Sequence, residues 1–125
     1  MRNIISGEYP PNWKEIATQV KNEANWQCVR CGHPHDFASR HVLTVHHLDG
    51  NKSNCAWWNL AALCQVCHLR IQGKVVMARA WYLPHTPWFR PYAAGYYASV
   101  HGLPTDREYV MSHLEELLAI GQGRD

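Results

Sequence analysis

The sequence predicts a single α+β domain, and three features of its 125 residues lead to that class. Apolar residues at helical spacing occur near both ends of the chain. Between them, residues 41–77 change pattern to a strand, a turn-rich loop, a second extended segment and a helix. Two Cys-x-x-Cys pairs lie within residues 28–67, which predicts that a bound ion supplements the modest core of so short a chain.

The composition argues against a membrane protein and against a secreted disulfide scaffold. Apolar residues make up 46% of the chain, but no apolar run approaches the ~18 residues that a membrane span needs. The N-terminus lacks the charged-then-apolar pattern of a signal peptide, so we expect a soluble, cytoplasmic protein. Four of the five cysteines form the two pairs and Cys55 is left over, which favours metal over disulfides, the more distant alternative. The net charge of +2 permits nucleic-acid binding without arguing for it.

The first predicted element is an N-terminal helix over about residues 12–26, with its regular part at 13–25. Tyr9–Pro11 should be an extended arm, because proline restricts both itself and the residue before it. Asn12 is a typical N-cap, and Glu15 is placed to complete a capping box. The simplest role of this helix is to cover the metal region. The apolar residues at helical spacing are Trp13, Ile16, Ala17, Val20 and Ala24.

A metal knuckle follows at residues 28–32. Cys28 and Cys31 can grip one ion from a tight turn, and Gly32 allows the backbone to reverse. His33 and His35 come next in the chain. They could be ligands, but with four cysteines available they are better interpreted as loop residues beside the ion or a bound partner.

The middle of the chain, residues 28–77, is the predicted core of the fold. Residues 41–47 are rich in Val, Leu and Thr and predict a strand, 48–54 are a turn-rich loop, and 56–63 predict a second short strand. A helix then begins near Cys64 and continues to about Met77, although Gly73 weakens it by roughly 1 kcal/mol relative to Ala.

The C-terminal part, residues 81–121, combines an aromatic segment with a final helix. Residues 81–95 contain three prolines and five aromatics, which predicts an irregular segment that wraps the core. An aromatic surface that stacks on nucleic-acid bases is the alternative. Thr105 and Glu108 form a second capping box, and the final helix should end at Gly121. The residues that mark this helix are Val110, Leu114, Leu117 and Leu118.

The four paired cysteines predict a structural zinc site made of Cys28, Cys31, Cys64 and Cys67. The two pairs are separated by 32 residues, somewhat beyond the spacing of a short zinc ribbon. Four thiolates around tetrahedral Zn²⁺ leave no open position, so such an ion holds the fold and does no chemistry. Cys55, outside this set, is typical of a small buried residue.

A second site is predicted from His46, His47, Asn59 and His68. Neighbouring side chains on a strand point to opposite faces, so the adjacent histidines should not both bind one ion. One can face the helix that carries His68 and act as a metal ligand. The other can face outward toward a substrate as a general base, because a histidine with a pKa of ~6.5 accepts a proton at neutral pH. The amide of Asn59 can fix either the loop or the ring of the base. His68 follows Cys67 directly, so the zinc knuckle positions it.

The combination of His46-His47, Asn59 and His68 resembles the motif of the HNH endonucleases, and the flanking cysteine pairs resemble their four-cysteine zinc subgroup. Motif residues span 28–72. Tyr-Pro-Pro-Asn-Trp at 9–13 and Leu-Pro-His…Trp-Phe-Arg-Pro-Tyr at 83–92 are similar to small stand-alone HNH proteins of phages and prophages. The resemblance implies a ββα-metal core (the His-Me finger) with flanking N- and C-terminal helices.

The resemblance also implies a role for each motif residue. His46 takes the place of the first ligand of a catalytic divalent ion, and His68 that of the second. His47 takes the place of the general base, and Asn59 that of the orienting residue. Members of the colicin type have a third histidine where this chain has Gln72. The third ligand is therefore the Gln72 oxygen, a water or a phosphate oxygen of the substrate.

The implied activity is hydrolysis of DNA phosphodiester bonds with Mg²⁺, Mn²⁺, Ni²⁺ or Zn²⁺ at the second site, leaving 3′-hydroxyl and 5′-phosphate ends. A monomer should nick, and a homodimer could cut both strands. Lys52, Arg70 and Lys74 are near enough in sequence to contact phosphates. The implied partners are DNA and phage DNA-packaging proteins, in a bacterial or phage-infected cell, with no membrane. The rival interpretation is a zinc-stabilised module that binds nucleic acid or protein without catalysis, which has no need of His47.

Overall fold

The computed structural model of this chain describes residues 8–71 and 87–121. The chain divides into two compact units, Met1–Val75 and Val76–Asp125. The single domain predicted over residues 1–125 stays a prediction. Taken together, the elements are mixed α and β, with helices around a small two-stranded sheet in the first unit and helices alone among the described residues of the second. The predicted α+β class is confirmed at this level.

The first unit opens with helix α1, Trp13–Glu23. Asn12 occupies the N-cap position, but its side chain makes no capping hydrogen bond, so the predicted capping box with Glu15 is wrong. The Asn12 carbonyl instead accepts the backbone N–H groups of Glu15 and Ile16, both at 3.1 Å. The helix ends earlier than expected because Asn25 and Trp26 adopt left-handed backbone angles, with φ of 55° and 56°.

Strands β1 (Leu43–His47) and β2 (Leu60–Cys64) form an antiparallel pair. Every residue of β2 is buried, whereas β1 is buried only at its two ends. The second strand was expected over 56–63, and that range is wrong. Trp57–Asn59 form a 3-10 turn, closed by the Asn59 N–H bond to the Ala56 carbonyl at 2.8 Å, which buries Trp58 and Asn59 before the strand begins.

Helix α2, Gln65–Ile71, follows β2 directly and buries Cys67 and Ile71. The order β1, loop, β2, α2 is therefore the predicted order of strand, loop, strand and helix. The expected continuation of this helix to Met77, through Gly73, lies outside the described residues. The core of the first unit consists of Leu43, Leu48, Trp58, Leu60, Ala61, Ala62, Leu63 and Ile71, together with Cys28, Cys64 and Cys67.

The second unit contains three described helices: α3 (Arg90–Val100), α4 (Arg107–Ser112) and α5 (Leu114–Gly121). A 3-10 turn at Pro87–Phe89 leads into α3. The irregular segment expected over 81–95 is therefore wrong from residue 87 onward, and 81–86 lie outside the described residues. Pro91 is accommodated because it sits in the first turn of α3, where a missing N–H breaks no helical hydrogen bond. The buried Phe89 cannot serve the alternative of a base-stacking surface.

The last helical region differs from the prediction in two ways: another residue caps it, and it is divided into two helices. Asp106, not Thr105, is the N-cap of α4, because its carboxylate accepts the Tyr109 N–H at 3.1 Å. The single final helix is wrong as well: it is interrupted at His113, and α5 then reaches Gly121. Gly121 lies so close to the Tyr97 ring that a Cβ there would fall 2.0 Å from it. No described helix has the length and apolar character that crossing a membrane requires.

Candidate metal centre and histidine cluster

The four paired cysteines come together in the first unit, as predicted. The Sγ atoms of Cys28, Cys31, Cys64 and Cys67 all lie within 4.8 Å of one another, and those of Cys31 and Cys64 are 3.8 Å apart. Zinc bonds to sulfur of about 2.3 Å in a tetrahedron place the sulfurs about 3.8 Å apart. The four donors are therefore close enough to fit a structural zinc ion.

Backbone hydrogen bonds shape both halves of this cysteine cluster. In the first knuckle, the Cys31 N–H points at the Cys28 Sγ at 3.5 Å, and the Gly32 N–H donates to the Cys28 carbonyl at 2.8 Å. Gly32 has a φ of +77°, which only glycine adopts without strain. In the second, the Cys67 N–H points at the Cys64 Sγ at 3.4 Å across the junction of β2 and α2.

A backbone hydrogen bond joins the first knuckle to the sheet, and the thiols of the cysteine cluster differ in pKa. Val29 N–H donates to the Ala62 carbonyl at 2.9 Å, which fastens the first knuckle to β2. Burial raises the pKa of Cys67 to about 12, although the Arg30 guanidinium 3.4 Å from its sulfur opposes this. Burial also raises the pKa of Cys28, but backbone N–H groups outweigh it and bring that pKa down to about 7. Burial also raises the pKa of Cys64, so the Cys64 and Cys67 thiols are protonated at neutral pH without a cation and must release protons when zinc binds.

His46 and His68 lie side by side, brought together by β1 and α2. Their ring centroids are 4.5 Å apart at an interplanar angle of 58°. Burial, followed by the charges of His68 and His47, lowers the pKa of His46 to about 4. The ring of His46 is therefore neutral at neutral pH and keeps a nitrogen lone pair for a metal ion. Two imidazoles at this separation could share one divalent cation.

His47 points to the other face of β1, where aromatic rings cover it. Its ring centroid is 4.8 Å from that of Trp13 and 5.8 Å from that of Tyr9, and the residue is 7% exposed. The expectation that His47 faces outward is wrong, because Tyr9 and the first turn of α1 pack over this end of the strand. Burial, then the Lys52 ammonium, lowers the pKa of His47 against the opposing effect of Asp49. A neutral imidazole can accept a proton.

Asn59 is fully buried and binds the loop that follows β1. Its Oδ1 accepts the Asp49 N–H at 2.9 Å, and its Nδ2 donates to the Asp49 carboxylate and to the Asn54 carbonyl, both at 2.8 Å. Of the two expected partners, the loop and the ring of the base, the structure shows the loop. Leu48 N–H also donates to the Asn59 carbonyl at 2.9 Å. These bonds hold residues 48–54 in place beside His47.

Asp49 is a site residue that the sequence reasoning missed. Its carboxylate accepts the Asn51 N–H and the Asn54 and Asn59 amides, all at 2.8 Å, so it is the hub of the loop and not a free ligand. The Asp49-Gly50-Asn51 run was taken only as a turn signal. Aspartate in a turn often accepts the backbone N–H two residues later, and the bond from Asn51 N–H to Asp49 is of this kind.

The basic residues have mixed outcomes. Lys52 is exposed, and its ammonium lies 5.1 Å from the centroid of the Tyr9 ring, next to His47. Arg70 is exposed on α2 and lines a groove of about 420 Å³ with Arg40, Gln65, Val66 and Leu69. Arg40 was not predicted from the sequence. Its backbone is left-handed, with a φ of +66°, and nothing in the sequence around it indicates that conformation. Lys74 and Gln72 lie outside the described residues.

The remaining candidates are not among the clustered metal donors found in the described residues. The His33 ring stacks on His41 with centroids 3.6 Å apart, and the His35 Nδ1 accepts the Leu43 N–H at 2.9 Å. Both act as loop residues, as predicted. Cys55 is half-buried and belongs to no metal-binding group in residues 8–71 and 87–121.

Comparison with known proteins gives one short likeness. No family model matches the chain, and no solved structure matches it. Zorya protein ZorE from the Crooks strain of Escherichia coli is 38% identical over 60 residues, which are 48% of this chain. The matched part is 16% of that relative's length. The chain is therefore similar to a small piece of Zorya protein ZorE, and this likeness alone assigns it to no family.

Proposed function

We propose that this chain is a metal-dependent DNA endonuclease of the HNH type. The observation that carries the proposal is the division of labour at the end of β1: His46 meets His68 on one face, while His47 lies on the other beside the loop that Asn59 holds. The β1, β2, α2 order with a cysteine cluster at the β2–α2 junction supports a ββα-metal core. The short likeness to Zorya protein ZorE covers too little of that protein to carry an activity.

The proposed chemistry assigns a separate task to each histidine. His47, neutral and next to the loop, is assigned the removal of a proton from the attacking water, which must reach a ring that Tyr9 and Trp13 cover. His46 and His68 hold a divalent ion, which supplies positive charge beside the scissile phosphate. Asn59 holds the backbone of residues 48–54 in position beside His47. Hydrolysis leaves 3′-hydroxyl and 5′-phosphate ends.

The proposed DNA contacts are few and electrostatic. Lys52 stands beside the base, and Arg40 and Arg70 line the groove next to α2. With a net charge of only +2, the affinity should be modest and should fall as salt displaces phosphate contacts. Such contacts position the backbone and carry no base sequence.

The second candidate function is a zinc-stabilised module that binds nucleic acid or protein without catalysis. The cysteine cluster suits it equally well. A binding module, however, has no need for two histidine rings 4.5 Å apart, or for a third histidine buried beside the loop that Asn59 holds.

Nicking of supercoiled plasmid in Mg²⁺, Mn²⁺, Ni²⁺ or Zn²⁺ tests the proposal. We expect nicked circles from the intact chain with at least one of these ions, and about 10²–10⁴-fold slower nicking by His47→Ala. His101→Ala, which removes an exposed histidine of the second unit, should nick at the normal rate. An intact, zinc-loaded chain that binds DNA but cuts it with none of these ions would favour the binding module.

A further inference from the structure

We propose that Trp13 is a positioning residue for His47: its indole, fixed in the first turn of α1, holds the imidazole in the orientation that proton removal requires. This inference rests on the proposed function, in which His47 is the base. It gives α1 a task in catalysis beyond packing against the sheet.

The geometry places Trp13 directly against the base. The two ring centroids are 4.8 Å apart and the planes differ by 31°. Tyr9 completes a three-ring cluster, at 5.0 Å from Trp13 and 5.8 Å from His47. Aromatic rings at such separations attract one another beyond the area that they bury.

Packing has to orient this imidazole because polar contacts do little of that work. The His47 Nε2 atom is buried and has no hydrogen-bond partner among the described residues. The Lys52 backbone provides one polar contact to the ring. Asn59, by contrast, has its side chain fixed by three hydrogen bonds at 2.8–2.9 Å. The orientation of His47 therefore depends on one backbone contact and on the aromatic rings packed against it.

Trp13 is better suited to this task than Tyr9. Tyr9 is 50% exposed and belongs to the arm before the helix. Trp13 is half-buried and its backbone is anchored, with its N–H donating to the Pro10 carbonyl at 3.1 Å. A base that shifts by about 1 Å can lose 10²-fold in rate. Loss of the indole should therefore be felt in the chemical step more than in DNA binding.

The ordinary alternative is that Trp13 only stabilises the first unit. Trp13→Leu keeps apolar volume but removes the ring, and Trp13→Phe keeps a ring. Trp26→Ala is the matched control, because Trp26 is an exposed indole in the same N-terminal segment that contacts His35 and not His47. Each variant is measured in the full chain for zinc content, melting temperature, kcat and KM for plasmid nicking.

We expect Trp13→Leu to lower kcat by about 10- to 100-fold with KM and zinc content unchanged. Trp13→Phe should recover most of that loss, and Trp26→Ala should nick normally. A double-mutant cycle is the sharper readout. In a His47→Ala background the Trp13→Leu change should have no further effect on the residual rate, because the ring that it positions is gone.

Equal factors in both backgrounds, or full-speed nicking by Trp13→Leu, would overturn the inference while leaving the proposed function intact. Should Trp13→Leu lose its zinc, the same cycle with Trp13→Phe decides, with a several-fold loss expected only when His47 is present. If the intact chain does not nick, or His47→Ala nicks as fast as the intact chain, the proposed function itself fails.

Discussion

The cysteine cluster and the histidine cluster lie in the same unit but are built in different ways. The cysteine cluster joins two local knuckles, each shaped by hydrogen bonds within four residues, and its four sulfurs lie within 4.8 Å of one another, close enough to fit a zinc site. The histidine cluster gathers His46 and His47 from β1, Asn59 from the 3-10 turn and His68 from α2, and it is covered by α1. A site made of local turns is therefore easier to infer from spacing than one made of distant elements.

The largest expected effect comes from breaking the cysteine cluster. Cys31→Ser removes one of four donors, and zinc binding contributes about 10–16 kcal/mol in small structural sites, which is comparable to the whole stability of a typical domain. We expect loss of zinc and an unfolded or aggregated chain. Metal analysis and thermal unfolding check this, with Cys55→Ser as the control that should keep both. A Cys31→Ser protein with full zinc content would remove that cysteine from the ligand set.

The next effect concerns the polar hub of the histidine cluster. Asn59→Ala leaves the half-buried Asp49 carboxylate and N–H short of partners, so we expect a loss of about 2–4 kcal/mol of unfolding free energy. Denaturant unfolding of the zinc-loaded protein measures it. Asn51→Ala removes an amide of the same loop whose oxygen, within residues 8–71 and 87–121, bonds to Ser53 alone, so it should cost about 1 kcal/mol or less. Equal losses would show that Asn59 does not hold the loop.

A smaller effect should appear as acid sensitivity. The pKa of His46 is about 4 in the folded chain, against about 6.5 unfolded. Its contribution to stability is therefore complete above pH 6.5 and declines as the pH falls toward 4, because the unfolded state binds the proton first. Chemical denaturation of His46→Gln and of the intact chain across this range should show a shallower decline for the variant. Parallel curves would contradict the low pKa.

The smallest effect is expected at the groove beside α2. Arg70→Ala should weaken DNA binding for all sequences alike and reduce the slope of log K against log salt by about 1. Lys14→Ala, on the exposed face of α1, should leave that slope unchanged. Fluorescence anisotropy on one duplex at several salt concentrations measures both. An unchanged slope for Arg70→Ala would exclude a phosphate contact there.

Much of the fold and site could be predicted, and each miss has a physical reason. Cys-x-x-Cys spacing and strand alternation identified the cysteine cluster and placed His46 opposite His47. The cover of Trp13 over His47 was missed because it joins residues far apart in sequence, which periodicity does not report. The helix that contains Pro91 was missed because proline is tolerated only in the first turn of a helix. The sequence alone does not show where the helix begins, so it does not show that Pro91 lies in that turn. The loop was one of the two partners expected for Asn59, but Asp49 as the particular partner within it was missed because turn residues give no sign of long-range side-chain bonds.

The central claim is that His46 binds a metal ion while His47 accepts a proton from the attacking water. Titration of zinc-loaded His46→Ala, His47→Ala and intact protein with a second divalent ion, by calorimetry alongside plasmid nicking, tests it most directly. We predict that His47→Ala binds the second ion with normal affinity yet nicks about 10²–10⁴-fold more slowly. His46→Ala should lose that affinity and recover part of its nicking at high metal concentration. Equal metal affinity with equal loss of nicking in the two variants would contradict the account.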